Sequence, residues 1–418
     1  MNQAGVTIDP VPDGFTAGRP LRDVSAIGLL NNFEVFGQER GNIEWYKALR
    51  RLGAKVRVGV TETHDGGDLR KMIEDLKFET FPVPYGCQWS KKFFIKKPSL
   101  VPSNFARMIA CSRVLAKEVK RSSATHVLIG NPLVYSFVAP YLSVNRCVKV
   151  MYRMGDEVSH DSLPNKWIWY RFYSRANVIV ANSEFVKSSI RRAFRTEPRK
   201  VRLIYNVAPS CSKEPVDEVS SREGTRVERL KDGGLEKGCR VLYVGQIAEH
   251  KGVSQLLDAS IALCREGWDC YFDFVGGSRY TQEYESSMLR RIANERLSDR
   301  ICFHGRVEDP TSFYRRASVL VVPSLFEEPA ANVVLEAKRE GVPAIVFPSG
   351  GLPELLEDGV TGIVCREKSS HALLEVLRRG FSQPALFEGL GAACLGEYER
   401  RFSEARFDKQ WEAVFSST

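Results

Sequence analysis

Short apolar runs recur along the chain, each followed by an amphipathic or polar stretch. Residues 25–30 (SAIGLL) read as a first strand, and residues 54–60 (AKVRVGV) alternate with the period of two that marks a strand. Between them, NNFEVFGQERGN reads as a loop, and the stretch ending WYKALRRLG as a helix stopped by Gly53. Further strands are predicted over residues 125–130, 147–153, 176–183 and 201–206. Residues 207–238 are polar and hold no hydrophobic period. A second series then begins at residues 240–245 (RVLYVG) and continues through 270–277, 300–305, 317–324, 343–349 and 362–365. The last stretch, GEYERRFSEARFDKQWEAVF, has the pattern of one amphipathic helix.

Short apolar strands separated by helical segments argue for parallel sheets covered on both faces. The predicted fold is α/β, with two doubly wound Rossmann-like domains facing a cleft. Its expected divisions are a disordered lead-in (1–20), an N-terminal domain (21–206), a linker (207–238) and a C-terminal domain (239–395). A C-terminal helix (396–418) is expected to cross back to the first domain. A length of 418 residues suits two cores better than one.

Hydrophobic content of 43% and charged content of 27% are those of a soluble globular chain. No run approaches the ~20 apolar residues of a spanning helix, and the N-terminus lacks a signal-peptide layout. The ten cysteines form no CxxC pair and lie partly in apolar runs, as reduced core thiols of a cytosolic protein do. Six scattered histidines argue against a metal cage. Residues 1–200 carry 32 Lys and Arg against 18 Asp and Glu, whereas residues 201–418 carry 28 against 33. The basic half predicts an anionic partner. Within it KKFFIKKP places Lys91, Lys92, Lys96 and Lys97 around aromatic residues. This tract suits an anionic membrane surface or a polyprenyl-diphosphate acceptor. No nucleic-acid module accompanies it.

The most informative segment is PSLFEEPAANVVLE, residues 323–336, where an apolar strand runs through a loop into a helix. Glu328 and Glu336 stand eight positions apart in it. Strand–loop–helix passages of this kind build nucleotide sites, because ligands sit outside the carboxyl ends of parallel strands and helix N-termini attract anions. Two carboxylates flanking such a helix start suit a ligand with a central diphosphate and hydroxyls at both ends, such as a nucleotide sugar. Two glutamates can also simply favour the helix dipole.

Five ordered motifs, VGQIAEHKG, DFVGG, FHGRV, PSLFEEPAANVVLEA and PSGGLPELLEDGVTG, make residues 240–365 resemble glycosyltransferase family 4. The resemblance is weaker over residues 25–206. It implies the GT-B architecture and retaining transfer from a nucleotide sugar. Glu328 then lies beside the donor sugar, Glu336 accepts from the ribose hydroxyls, and backbone N–H groups of Ala330, Ala331, Asn332 and Val333 meet the donor. Lys251 neutralises the leaving diphosphate. Gly245 and Gln246 line the donor site, with Gln246 where the family carries Arg, so Arg306, His250 or an N-domain arginine is expected to compensate. Arg306 and Val307 position the nucleobase. Gly37 belongs to a glycine loop approaching the donor or acceptor. Gly155 stands where relatives carry a His that contacts the donor sugar, which leaves Asp156, as a catalytic residue, or Arg153 to make that polar contact; His160 falls too far along. Pro329, Ala330 and Ala331 replace the family's Gly-Phe-Gly, which puts donor preference in question. Glu354 reads as a first-turn cap, and Asn206 matches a hinge motif.

The resemblance implies metal-independent transfer from a UDP- or GDP-sugar to a hydroxyl of a glycan, glycolipid or lipid-linked acceptor. No cofactor and no Asp-x-Asp metal site are expected. The protein is expected in the cytoplasm, with peripheral contact at the inner membrane face. A non-catalytic GT-B binding subunit, a phosphorylase and an epimerase stay open as alternatives. A dehydrogenase is disfavoured, because no strand is followed by GxGxxG.

Overall fold

The structure is a computed structural model that describes residues 20–32, 37–62, 67–86, 100–158, 163–194, 200–209, 238–278 and 282–418, with the backbone alone for 163–168. The chain divides into two compact units. The first comprises Met1–Asn182, Val186–Tyr205 and Glu404–Thr418; the second comprises Ser183–Phe185 and Asn206–Ser403.

The first unit is built on β1 (Ser25–Leu29), β2 (Lys55–Thr61), β3 (Glu79–Val83), β4 (His126–Ile129), β5 (Lys149–Met154), β6 (Val178–Ala181) and β7 (Val201–Leu203). All pair in parallel, in the order β3-β2-β1-β4-β5-β6-β7. Its helices are α1 (Gly37–Arg51), α2 (Gly67–Asp75), α3 (Leu100–Ser122), α4 (Pro132–Val144), α5 (Leu163–Arg175) and α6 (Glu184–Phe194), whose first residues group with the second unit. β3 escaped the sequence reading because it is a short edge strand carrying Pro82, which cannot donate to a ladder. The predicted loop around FGQERG is instead the start of α1, and Gly53 (φ 99°) follows that helix as expected.

The second unit repeats the order as β10-β9-β8-β11-β12-β13, again all parallel. These strands are β8 (Cys239–Val244), β9 (Cys270–Val275), β10 (Ile301–Phe303), β11 (Val319–Val322), β12 (Ala344–Val346) and β13 (Gly362–Val364). Around them run α7 (Val253–Arg265), α8 (Gln282–Asn294), α9 (Thr311–Arg316), α10 (Asn332–Arg339), α11 (Ser370–Ser382) and α12 (Pro384–Arg401). Their core joins Phe272, Phe274, Leu257, Val321, Phe347 and Leu373, all essentially solvent-free. The final helical stretch breaks at Phe402 and Ser403. α13 (Glu404–Ser416) is a separate helix that groups with the first unit and packs on α1, stacking Trp411 on Trp45 with ring centroids 4.6 Å apart. Arg51 clamps it through two bonds of 2.7 Å to Asp408.

Both sheets reverse direction once, between β1 and β4 and between β8 and β11. Parallel α/β sheets open a crevice beyond the carboxyl ends of the strands at such a reversal. In the second unit that places the residues after Val244 and after Val322 side by side.

Candidate active site of the second unit

The chain leaves β8 through Gly245 and Gln246, whose carbonyl accepts a 2.7 Å bond from Tyr243 Oη. A 3₁₀ turn, Glu249–Lys251, follows and ends at Gly252 in the left-handed region (φ 71°). A Cβ on Gly252 would lie 1.8 Å from the Pro323 carbonyl oxygen. This close approach brings the Lys251 turn against the exit of β11, where the His250 carbonyl accepts from Leu325 N (2.9 Å). Gly252→Ala adds left-handed strain to a backbone clash. It should destabilise the second unit by about 2–4 kcal/mol, seen as an earlier unfolding transition in denaturant; an unchanged midpoint would refute this account of the turn.

Past β11 the two adjacent glutamates take different partners. Glu328 Oε2 accepts from Lys251 Nζ (2.7 Å) and Ser324 Oγ (2.9 Å). Glu327 accepts from Lys368 Nζ (2.6 Å) and from Gly350 N, and the Lys368 bond holds its carboxyl below the ordinary carboxylate range. Lys251 also lies 4.6 Å from the Phe326 ring centre, and His250 meets the same ring edge-on at 5.3 Å. Burial, then the Lys251 charge, lowers the His250 pKa below its usual value.

The backbone of Glu328 is held from the following loop. Its carbonyl accepts from Gly351 N (2.8 Å), and a Cβ on Gly350 (φ 54°) would fall 2.4 Å from that same oxygen. Gly350 and Gly351 thus seat the glutamate loop. Glu354, in the 3₁₀ turn Pro353–Leu355, does not cap its own turn. Its carboxylate accepts from the N–H groups of Glu184 and Phe185 at 2.6 Å each.

α10 begins after Ala331, whose backbone is extended (φ −102°, ψ 112°) and whose methyl cannot cap. A helix start without a capping side chain leaves its first N–H groups to water or a ligand. Ala331 and Asn332 are buried, and Ala330 and Val333 half-buried. Asn332 Oδ1 accepts from Asn206 Nδ2 at 2.6 Å, which ties Asn206 to this helix start. One turn on, Glu336 is buried at 6% exposure and accepts from Tyr314 Oη of α9 at 2.8 Å. Arg306 is exposed and Val307 half-buried, just past Gly305 beyond β10.

The structure thus brings Lys251, Glu328 and Ser324 together at the reversal, with Gly245 and Gln246 on the neighbouring strand exit. Sequence reasoning passed over Ser324, Tyr314 and Lys368, which are partners of the glutamates. A serine inside a motif and a tyrosine 22 positions before its partner carry no local sign of that pairing.

In the first unit, Gly37 opens α1 and is exposed, with nothing within 4 Å of an added Cβ. The neighbouring Gln38 reaches the Gly130 carbonyl at 2.6 Å. Arg153 is not a surface contact. It is buried, donates to Asn42 Oδ1 at 3.0 Å, and its Nη2 would lie 2.3 Å from a Cβ on Gly41. Burial pushes its pKa down to about 10, still charged at neutral pH. Asp156 is exposed just past β5, and Gly155 beside it lies next to Gln38 and Asn182. Lys91, Lys92, Lys96, Lys97 and His160 lie outside the described residues. Among the described residues, no cluster of His, Cys, Asp and Glu is arranged to hold a metal, and no helix is long and apolar enough to cross a membrane.

Two family models match the chain: Glycosyltransferase Family 4 over residues 35–208 and Glycosyl transferases group 1 over residues 228–394. Among curated proteins, alpha-D-kanosaminyltransferase of Streptomyces kanamyceticus is 26% identical over 62% of this chain and 64% of its own length. D-inositol 3-phosphate glycosyltransferase of Thermobifida fusca is 28% identical over 52% of this chain and 50% of its own. The matches therefore span about half to two thirds of these relatives. Anabaena HepE, solved in complex with UDP, has the same two-domain GT-B fold, with a TM-score of 0.74 over 94% of this chain and 100% of HepE, at 18% identity.

Proposed function

Since this chain belongs to the family 4 glycosyltransferases, we propose that it transfers a sugar, with retention, from a UDP-sugar to a hydroxyl of a glycan, glycolipid or lipid-linked acceptor. The observation that carries this reading is the Lys251–Glu328 pair at the sheet reversal, 2.7 Å apart and half-buried. A cation fixed beside a carboxylate at that point meets both ends of the reaction. The anomeric carbon–oxygen bond to the diphosphate breaks, and its electron pair goes to the phosphate oxygen. Lys251 and the uncapped start of α10 stabilise the charge that develops there. The new carbon–oxygen bond forms on the face the diphosphate leaves, and the acceptor proton passes to the leaving phosphate oxygen. Glu328 holds and polarises the donor sugar. Glu336, kept in place by Tyr314, accepts from the ribose hydroxyls.

The remaining assignments follow from position. Gly245, Gln246, Ala330, Ala331, Asn332 and Val333 border the donor, and Arg306 and Val307 border the base. Gly37 approaches the donor diphosphate or the acceptor, and Asp156 is the catalytic group that makes the polar contact to the donor sugar. UDP is preferred over GDP because HepE was solved with UDP. Lys251 and the helix start supply the positive charge a metal would otherwise bring, so no cofactor is proposed.

The test is turnover of a panel of UDP- and GDP-sugars with and without EDTA. The expected result is release of UDP that depends on an added hydroxyl acceptor and is undiminished by EDTA. Dependence on Mn²⁺ or Mg²⁺ would overturn the metal-free reading. Release driven by inorganic phosphate would favour a phosphorylase, and binding without turnover a non-catalytic subunit.

A further inference from the structure

Lys338 and Glu397 are ion-paired with 0% exposure at either side chain, in the interface of α10 and α12. Lys338 Nζ also donates to Thr361 Oγ1 at 3.0 Å, in the turn that leads into β13. Thr361 Oγ1 in turn accepts from Glu357 N at 2.9 Å. The second Glu397 oxygen accepts from Arg401 Nη1, and Arg401 Nη2 donates to the Glu354 carbonyl at 2.8 Å. One connected set of polar groups therefore links α10, α12 and the loop that carries Gly350, Gly351 and Glu354.

A buried ion pair is a poor source of stability. Desolvating both charges offsets most of their attraction, and apolar side chains of similar volume often do as well or better. This pair does something an apolar pair cannot, which is to hold a helix in one register through directional bonds. Lys338 stands two positions after Glu336 on α10. The loop at the other end of the network donates Gly351 N to the Glu328 carbonyl. We propose that Lys338, Glu397, Thr361 and Arg401 form a positioning network that sets where Glu336 stands relative to the Glu328 loop, and through that the affinity for the nucleotide. They act through Glu336, so the proposal rests on the reading of Glu336 as the ribose acceptor.

The experiment is a cycle between the double variant Lys338→Met/Glu397→Leu and Glu336→Ala, read by the unfolding temperature and by the Kd for UDP from calorimetry. The double variant is expected to stay folded, with Arg401 still held by the Glu354 carbonyl, yet to bind UDP ~10-fold more weakly. Added to Glu336→Ala it should cause no further loss of affinity. Unchanged UDP affinity in the double variant would overturn the proposal. So would a loss that adds in full to that of Glu336→Ala, because the network would then act on structure in general. If Glu336→Ala itself binds UDP as wild type does, the ribose reading falls and the network proposal with it. If Glu336→Ala is defective and the double variant is not, the network proposal alone fails. Should the double variant not fold, Thr361→Val, which removes the hydroxyl that accepts from Lys338 Nζ and Glu357 N, enters the same cycle with the same outcomes.

Discussion

Lys251→Ala is expected to lower turnover by ~10²-fold or more while leaving the second unit folded. Lys251 sits at the end of a 3₁₀ turn and is partly exposed. What the substitution removes is the charge facing Glu328. A leaving diphosphate gains more negative charge in the transition state than it has in the bound donor, so the loss should appear in kcat more than in KM. Glu328→Ala should fall by a similar factor for a different reason. It unpairs Lys251 and Ser324 and removes the group proposed to hold the donor sugar. Because the two side chains form one unit, the double variant should be little worse than either single one. Near-wild-type turnover in both single variants, measured by UDP release, would end the assignment of this pair to the reaction.

Glu336→Ala is expected to abolish most of the stabilisation that UDP confers. A nucleotide present at ~100 times its Kd should stabilise the folded protein by about 2.7 kcal/mol, a rise of several degrees in Tm. Glu336 is buried and accepts from Tyr314 Oη, and a carboxylate can accept from both hydroxyls of a vicinal diol. Without it the wild-type rise with UDP should shrink to a degree or less. Thermal unfolding with UDP, GDP and ADP, each in EDTA, would check this and compare the bases together. A full UDP shift in Glu336→Ala would remove Glu336 from the nucleotide site.

Much of this site can be seen along the chain because its spacing is local. Glu328 and Glu336 are separated by one loop and the first turns of α10, so a linear motif carries their relation. Lys251 belongs to a second local motif. The two motifs are brought together by parallel strand order, which the alternation of strands and helices implies without stating which strands are neighbours. β8 and β11 lie side by side although 74 residues separate Val244 from Val319. Elements with weak local signals were misread. The start of α1 contains Gly37 and Gly41 and resembles a loop in propensity, yet it is helical, with the Arg153 guanidinium filling the space beside Gly41. The last amphipathic stretch is periodic throughout, but it breaks at Phe402, where the chain passes from one unit to the other.

From composition and pattern come the α/β class, the two-unit division and the parallel sheets, while the family and its paired glutamates come from the resemblance of five ordered motifs. These depend on periodicity and short-range spacing, which the chain carries whatever it packs against. The partners of the charged groups required the folded structure. Glu327 and Glu328 are adjacent and chemically identical, yet one meets Lys368 and the other Lys251, because the loop turns their side chains toward different neighbours. Burial and the neighbouring Lys251 charge lower the pKa of His250, which no local pattern in the chain discloses. Lys338 reads as a surface residue near the end of a helix, and only the packing of α10 on α12 places it against Glu397 away from all solvent. Charge state and pairing depend on distance and desolvation in three dimensions, and neither quantity is a property of the residue alone.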